Sequence, residues 1–246
     1  MAITKYFDAF PIVDYKFGDE DFVVPIENLS IYVDIVDQVK RSSATYQNYD
    51  ILPDERPDQV SYKLYNTTDY YWTFFLMNDK LRERGWPLSS RKAEEFAKKE
   101  YKERIVTTES NLISNFEVGT EILGTLSSSI GQIIHRDVGL GQIWLDNSTT
   151  GLWQAGETIN STNISGTPQS IVCLSSELRY QTAHHFNDAD GNWADIIPTD
   201  ARPAGYAEVS WQERLIKQND ELKSIIVLKP EVISEVVKSF REAIRS

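Results

Sequence analysis

The pattern of apolar and polar positions changes character several times along this chain of 246 residues. The first 44 residues hold Tyr6, Phe7, Phe10, Tyr15, Phe17 and Phe22 without helical spacing. Pro11, Pro25 and the cluster Gly18-Asp19-Glu20-Asp21 break any helix. This predicts an extended aromatic arm that must lie on its own domain or on a neighbour. Within it, Ile31, Val33 and Ile35 share one face of a strand. A short strand is expected at Tyr49-Asp50-Ile51. After Asp54-Glu55-Arg56, Pro57 fits a first helical turn, and Val60, Leu64 and Tyr65 follow at helical spacing. Asn66-Thr67-Thr68-Asp69 supplies capping residues for a second helix, Tyr70 to Met77, that is apolar almost all round. A helix apolar on every face is buried on every face. In so small a module, part of that burial is expected from another protein. Asn78-Asp79 ends it, Gly85-Trp86-Pro87-Leu88 makes an irregular turn, and residues 90–105 read as a charged connector helix.

From about Asn115 to Ile197 the composition shifts to Gly, Ser, Thr, Asn, Ile and Val. Here Phe116-Glu-Val-Gly119-Thr-Glu-Ile122-Leu-Gly-Thr125 recurs as Trp153-Gln-Ala-Gly156-Glu-Thr-Ile159-Asn-Ser-Thr162, 37 residues later. Each copy reads as an aromatic strand start, a Gly turn and a strand. Further strands are expected at Ile130–Ile134, Gln142–Leu145 and Ser170–Leu174. Two copies are too few for a solenoid, so an antiparallel barrel or sandwich is expected. The chain closes with a charged helix over 211–221, a strand over 223–228 and an amphipathic helix over 231–245. The apolar stripe of that last helix is Val232/Ile233, Val236/Val237, Phe240 and Ile244. The fold class is α+β, in four segments: an arm over 1–44, a module with its connector helix over 45–110, a β-rich insertion over 111–204, and a returning helix-strand-helix over 205–246.

A net charge of −12 repels phosphate backbones, and no basic stripe offsets it, so nucleic acid is excluded as a direct ligand. One cysteine, Cys173 in an apolar run, rules out an internal disulfide and a thiolate zinc site. The N-terminus lacks the apolar core of a secretory signal, and no apolar stretch approaches the roughly 20 residues a membrane helix needs. Synthesis and folding in a host cytoplasm are expected.

Arg56-Pro57-Asp58-Gln-Val60-Ser-Tyr62-Lys-Leu64-Tyr65, then Tyr71-Trp72-Thr73-Phe74-Phe75-Leu76-Met77-Asn78 and Trp86-Pro87-Leu88-Ser89, resemble the baseplate wedge subunit 53 family of T-even-like contractile-tail phages. Ile225-Ile-Val-Leu-Lys-Pro230 with its following helix is similar to that family's C-terminal part. The resemblance covers residues 1–110 and 205–246; the β-rich middle departs from it. It implies a LysM-like β-α-α-β module and an architectural, non-enzymatic role in the virion. Its partners would be other wedge proteins and the hub or neighbouring wedges, in six-fold symmetry. The residues expected at protein contacts are Arg56, Asp58, Trp72, Phe75, Asn78, Trp86, Phe7, Phe10, Tyr15 and Phe240.

Because LysM-like folds elsewhere bind glycan, a peptidoglycan-binding tail protein is the competing reading, with Asp54, Glu55, Trp72, Asn78 and Trp86 in the relevant loops. A tail-associated cell-wall hydrolase is a more distant one. No Gly-x-Ser-x-Gly elbow, His-Glu-x-x-His, phosphate loop or dinucleotide fingerprint is present. His184-His185 with Asp188-x-Asp190-x-Asn192 has calcium-like spacing. However, Gly191 stands fourth rather than sixth, and Thr199 occupies the twelfth position. The segment reads more simply as a β-turn, with adjacent histidines pointing to opposite sides of a strand. No metal or cofactor is expected.

Overall fold

The computed structural model describes residues 10–16, 18–19, 22–28, 40–41, 43–109, 112, 115–146, 148–194 and 205–245. The strand expected around Ile31, Val33 and Ile35, and the Phe7 ring, lie outside the described residues. The chain is mixed α+β and divides into two compact units, residues 1–89 with 219–246, and residues 90–218. The expected boundary at 110/111 therefore moves to 89/90. The connector helix stops at Glu100, and the residues after it enter a strand that belongs to the second unit.

In the first unit, β1 (Ile12–Lys16) and β2 (Val23–Glu27) form an antiparallel hairpin. After β3 (Tyr46–Asp50) come helices α1 (Pro57–Tyr65), α2 (Trp72–Met77) and α3 (Asp79–Arg84); the chain returns as β13 (Ser224–Leu228) and α6 (Ile233–Arg245). Pro57 opens α1 and Gln59 accepts the Arg56 amide at 3.0 Å. Asn66 closes α1 in the left-handed region, φ 57°. The buried Ser61 hydroxyl then ties the α1–α2 turn, donating to the Thr67 carbonyl at 2.7 Å and accepting from the Tyr70 amide.

β3 pairs antiparallel with β13, and helices cover both faces of this ribbon. One face carries Ile225 and Val227 against Val60, Phe74 and Leu81. The other carries Ile226 and Leu228 against Trp72, Leu76, Met77 and the α6 stripe Ile233, Val237 and Phe240. Five of the six residues of α2 are buried because the helix serves both clusters at once. Its all-round hydrophobicity is satisfied by its own chain, which corrects the expectation of a partner there. The side of β13 turned away from β3 is closed by side chains. The Asn78 amide donates to the carbonyls of Ile226 and Phe74, both at 2.8 Å, and its oxygen accepts from the Ile226 amide at 2.9 Å. The Tyr65 hydroxyl donates to the Leu228 carbonyl at 2.8 Å. Asn78 thus substitutes for a strand residue, since a carboxamide carries an N–H donor and a C=O acceptor as the backbone amide does.

The second unit begins with α4 (Ser90–Glu100) and is built on β4 (Arg104–Thr108), β5 (Glu121–Gly124), β6 (Ile130–Asp137), β7 (Gln142–Leu145), β8 (Thr158–Thr162) and β9 (Pro168–Leu178). These six strands close an antiparallel barrel in the order β4-β7-β6-β5-β8-β9. Closure removes free edges, and the inward residues fill the lumen. The sequence repeat accounts for the topology. β4-β5-β6 and β7-β8-β9 are equivalent triplets, and a shift of 37 residues carries Val106 to Ile143, Phe116 to Trp153 and Ile122 to Ile159, all in one core. In the β4–β7 ladder Val106 faces Ile143, its own equivalent; in the β5–β8 ladder Leu123 faces Asn160, again its equivalent. A local two-fold axis therefore passes through these two ladders. The second copy is three residues longer at its hairpin: Glu121 faces Gln132, whereas Thr158 faces Val172. The turns match as well. Gly119 and Gly156, at φ 93° and 85°, each donate to a strand carbonyl at 2.8 Å, those of Ile133 and Cys173.

Glu157 is 1% exposed. Its carboxylate accepts from the amides of Ser127 at 2.9 Å, Leu126 at 3.0 Å and Gln154, and from the Ser127 hydroxyl at 2.8 Å. Burial alone would raise its pKa, but these donors overcome burial and hold it below the usual carboxylate range. The unit continues through β10 (Ala183–Asn187), β11 (Trp193–Ala194), β12 (Ala207–Ser210) and α5 (Trp211–Asp220), which leads back to the first unit.

Two stability predictions follow from these contacts. Asn78→Ala strands the Ile226 amide and carbonyl in a part-buried site, so equilibrium urea unfolding should show a loss of about 2–4 kcal/mol. Asn78→Asp, which cannot donate, should lose most of the same amount at neutral pH. Glu157→Gln should cost about 1–3 kcal/mol at pH 7, because a carboxamide presents an NH2 where donors converge. Glu157 has a folded pKa below its unfolded one. Its contribution is therefore present above the unfolded pKa and fades as pH falls through the folded one. The melting-temperature gap between wild type and Glu157→Gln should close on acidification; a gap independent of pH would refute the assignment.

Candidate protein–protein interface

A polar node fixes the loop between β3 and α1, where the quoted motif residues cluster. Glu55 accepts from the Leu52 amide at 2.9 Å, the Tyr49 hydroxyl at 3.0 Å and Lys63 at 3.1 Å, while Lys63 also donates to Tyr49 at 3.1 Å. Burial pushes the Glu55 carboxyl upward, but the Leu52 amide, Lys63 and Tyr49 outweigh it and the net shift is down. The Trp86 indole N–H donates to the Glu55 carbonyl at 2.7 Å. One node therefore joins β3, α1 and the Trp-Pro-Leu turn. Outside it, Arg56 and Asp58 pair with each other at 2.6 Å on the surface, beside exposed Leu52 and Tyr62.

The expected contact residues separate into two groups. Trp72, Phe10 and Phe240 are core residues, 8%, 6% and 3% exposed. The Phe240 ring lies 5.2 Å from that of Trp72 and 6.4 Å from that of Phe10. Phe75 and Trp86 are partly buried against each other, and every polar atom of the Asn78 side chain is engaged within the unit. These residues hold the unit together, because their side chains cover both faces and one side of the β3–β13 ribbon. Tyr15, Arg56 and Asp58 remain at the surface.

The hairpin was legible only as an aromatic arm. Its register puts Val13 opposite Ile26 and Tyr15 opposite Val24, so one face is wholly apolar while Asp14, Lys16 and Glu27 lie on the other. Val13 is 37% and Tyr15 48% exposed, and Phe10, just before the hairpin, is rooted in the core. The alternation of Val13/Tyr15 and Val24/Ile26 about Gly18-Asp19 is the signal that could have revealed it.

In the second unit all three histidines meet tryptophans: His135 with Trp144, His184 with Trp211 and Trp193, and His185 with Trp193. The Arg179 guanidinium lies 4.1 Å from the Trp144 ring and 3.9 Å from the Trp211 ring. His184 and His185 do not point apart as expected, because a bulge between Ala183 and His185 brings their Nδ1 atoms to 3.1 Å. Arg214 donates to His184 Nε2, which leaves the His184 proton on Nδ1, directed at His185. Burial first, then Arg214, His185 and Arg179, push the His184 pKa down to about 4. Arg214 occupies the accepting Nε2 of His184 and sets a positive charge beside the pair, which opposes a cation there. The Asp188 carboxylate is likewise spent on the amides of Asp190 and Asn192, at 3.0 and 2.8 Å, which closes the turn.

A cleft of about 420 Å³ in the first unit is lined by Asn48, Met77, Asp79, Glu221 and Ile226, with the ion pairs Lys40–Asp79 and Lys80–Glu221 along it. No helix among the described residues is long and apolar enough to cross a membrane.

A search of curated proteins returned no match. Residues 5–114 match the family model of base plate wedge protein 53, a span that holds the hairpin, the Glu55 node, α1 to α4 and β4, the first strand of the barrel, and ends just before Phe116. This is a family of phage baseplate structural proteins. Over residues 5–114, somewhat under half of its length, the chain is similar to the base plate wedge protein 53 family.

Proposed function

We propose that this chain is a structural wedge subunit of a contractile phage tail, joining inner wedge proteins and promoting wedge association around the hub. Assembly in the host cytoplasm and a place in a six-fold baseplate belong to the same reading. The observation that carries it is the β1–β2 hairpin, which lies inside the family match. A two-stranded hairpin is marginal by itself, and an exposed apolar face adds solvation cost unless a partner covers it. The path β3, α1, α2, β13 supports the LysM-like description of the module. A glycan role is less well supported. Trp72 is buried, the Trp86 indole N–H and the Asn78 amide are already engaged, and the cleft is lined by ion pairs without an aromatic platform.

Co-expression of the tagged chain with wedge and hub proteins of the same phage should yield a stable complex, and the purified chain should not sediment with peptidoglycan. Val13→Ser with Tyr15→Ser should lower the recovered complex at least tenfold, about 1.4 kcal/mol, with an unchanged melting temperature. A chain that stays monomeric beside those proteins, or that sediments with peptidoglycan alone, would overturn the assignment.

A further inference from the structure

The duplicated barrel contains its own control for what the fold requires at its outer surface. On β5 and β6, Leu123 pairs with Ile130, and both point outward, 43% and 40% exposed. The equivalent pair in the second copy is Asn160 with Ser170, also exposed. The backbone environments are the same, so apolar residues there are not demanded by the barrel. Leu126, 70% exposed, stands in the β5–β6 turn, and Leu152, 58% exposed, follows Thr150, whose backbone bridges to Ile130. The turn that carries Leu126 is pinned by Glu157 through the amides of Leu126 and Ser127. The matching turn of the second copy also exposes one apolar residue, Ile164, with its amide held by Glu117 at 3.0 Å. Only the first copy adds to that residue an exposed apolar cross-strand pair at this position, Leu123 with Ile130.

The charges around this face have one sign. Between Glu109 and Glu177 the only Lys or Arg is Arg136, whereas Glu121 and Asp146 both lie beside Gln132, two residues from Ile130. Arg136 is six residues from Ile130 along β6, about 20 Å away. Glu121 shares the outer face of β5 with Leu123 and is exposed. A second copy, with net charge −12 and the same acidic rim, is repelled.

We infer that Leu123, Leu126, Ile130 and Leu152 form a docking surface for a different baseplate protein, one that presents an apolar centre with a rim of Lys or Arg. This rests on the baseplate reading above and extends it to the part of the chain beyond the family match. The surface is pre-organised, because its most exposed side chain sits on a turn locked by a buried carboxylate, and little ordering remains to oppose binding.

The test uses assembled tails in which a photo-crosslinking residue replaces Leu126, with and without Leu123→Asn and Ile130→Ser. Those two substitutions copy the residues that the second copy already carries at the same backbone positions, and an unchanged melting temperature of the purified chain checks that the barrel survives. The expected result is a crosslink to one other virion protein, at a peptide flanked by Lys or Arg, whose yield falls at least tenfold in the double variant. A crosslink to a second copy of this chain, a crosslink to an acidic peptide, a yield indifferent to the double variant, or no crosslink in tails that contain the chain would each overturn the inference. Tails that lack the chain altogether would instead refute the baseplate reading on which it stands.

Discussion

The first unit exists because two stretches at opposite ends of the chain pair as β3 and β13. Everything else in that unit is arranged to make the pairing hold. A two-stranded ribbon leaves two outer edges and two faces to satisfy. Helices α1 and α2 take one face, while α2, α6 and Phe10 take the other. The outer edge of β13 is closed by Asn78 and Tyr65, which reach across 148 and 163 residues of sequence. Asn219 makes a third clamp, its carboxamide exchanging hydrogen bonds of 2.7 and 2.8 Å with the Leu88 backbone. The points where the chain leaves this unit and returns to it are therefore bonded to each other. Loop closure grows only logarithmically with length, about 0.6 kcal/mol per doubling. A folded insertion between Leu88 and Asn219 is for that reason a small burden on the ribbon.

How much of this the sequence disclosed depends on whether a feature is written locally. Pro57, the capping residues after Tyr65 and the apolar run to Met77 placed α1 and α2 to within two residues. The repeat of Phe116 and Trp153 pointed to a duplicated β-module, though barrel and sandwich stayed open until the β4–β9 ladder closed the ring. The boundary at 89/90 was not legible, because α4 carries few apolar residues. Its buried face is Ala93 and Ala97, whose small side chains give a weak periodic signal. Three of the expected contact residues lie in the core for a related reason. Aromatic density marks what will be buried but not by whom, and Trp72, Phe10 and Phe240 found one another inside the unit.

The Arg179 cluster could not be read at all, since Tyr101, Trp144, Arg179 and Trp211 are scattered in sequence and meet only on the outer face of β4 and β7. There they act as a second, smaller core. Ile105, which pairs with Trp144 and points outward from the barrel, is 0% exposed beneath it. Arg179 is held between two indoles and pairs with Glu103 at 3.4 Å, so its charge is met by ring faces and a carboxylate. This arrangement reads as packing. Its neutral His184–His185 neighbours belong to the same covering layer, and their depressed basicity follows from burial and from Arg214.

The covering layer breaks the barrel's symmetry in a definite way. The two-fold axis leaves the barrel at two poles, the Val106/Ile143 ladder and the Leu123/Asn160 ladder. Outside the first lie the Arg179 cluster and α5; at the second, Leu123 and Asn160 are exposed. The axis exchanges the two sides of each pole and not one pole with the other, so equal copies would make each pole alike on its two sides. Here one pole is buried by the chain itself and the other is half polar and half apolar, divided along the axis between the two copies. Carboxylates that pin the turns at that pole, Glu157 for one copy and Glu117 for the other, give part of the acidic composition a structural use inside the barrel. A rigid, acid-rimmed, half-apolar pole costs solvation free energy to keep, and burial against a complementary surface is the physical setting in which that cost is returned.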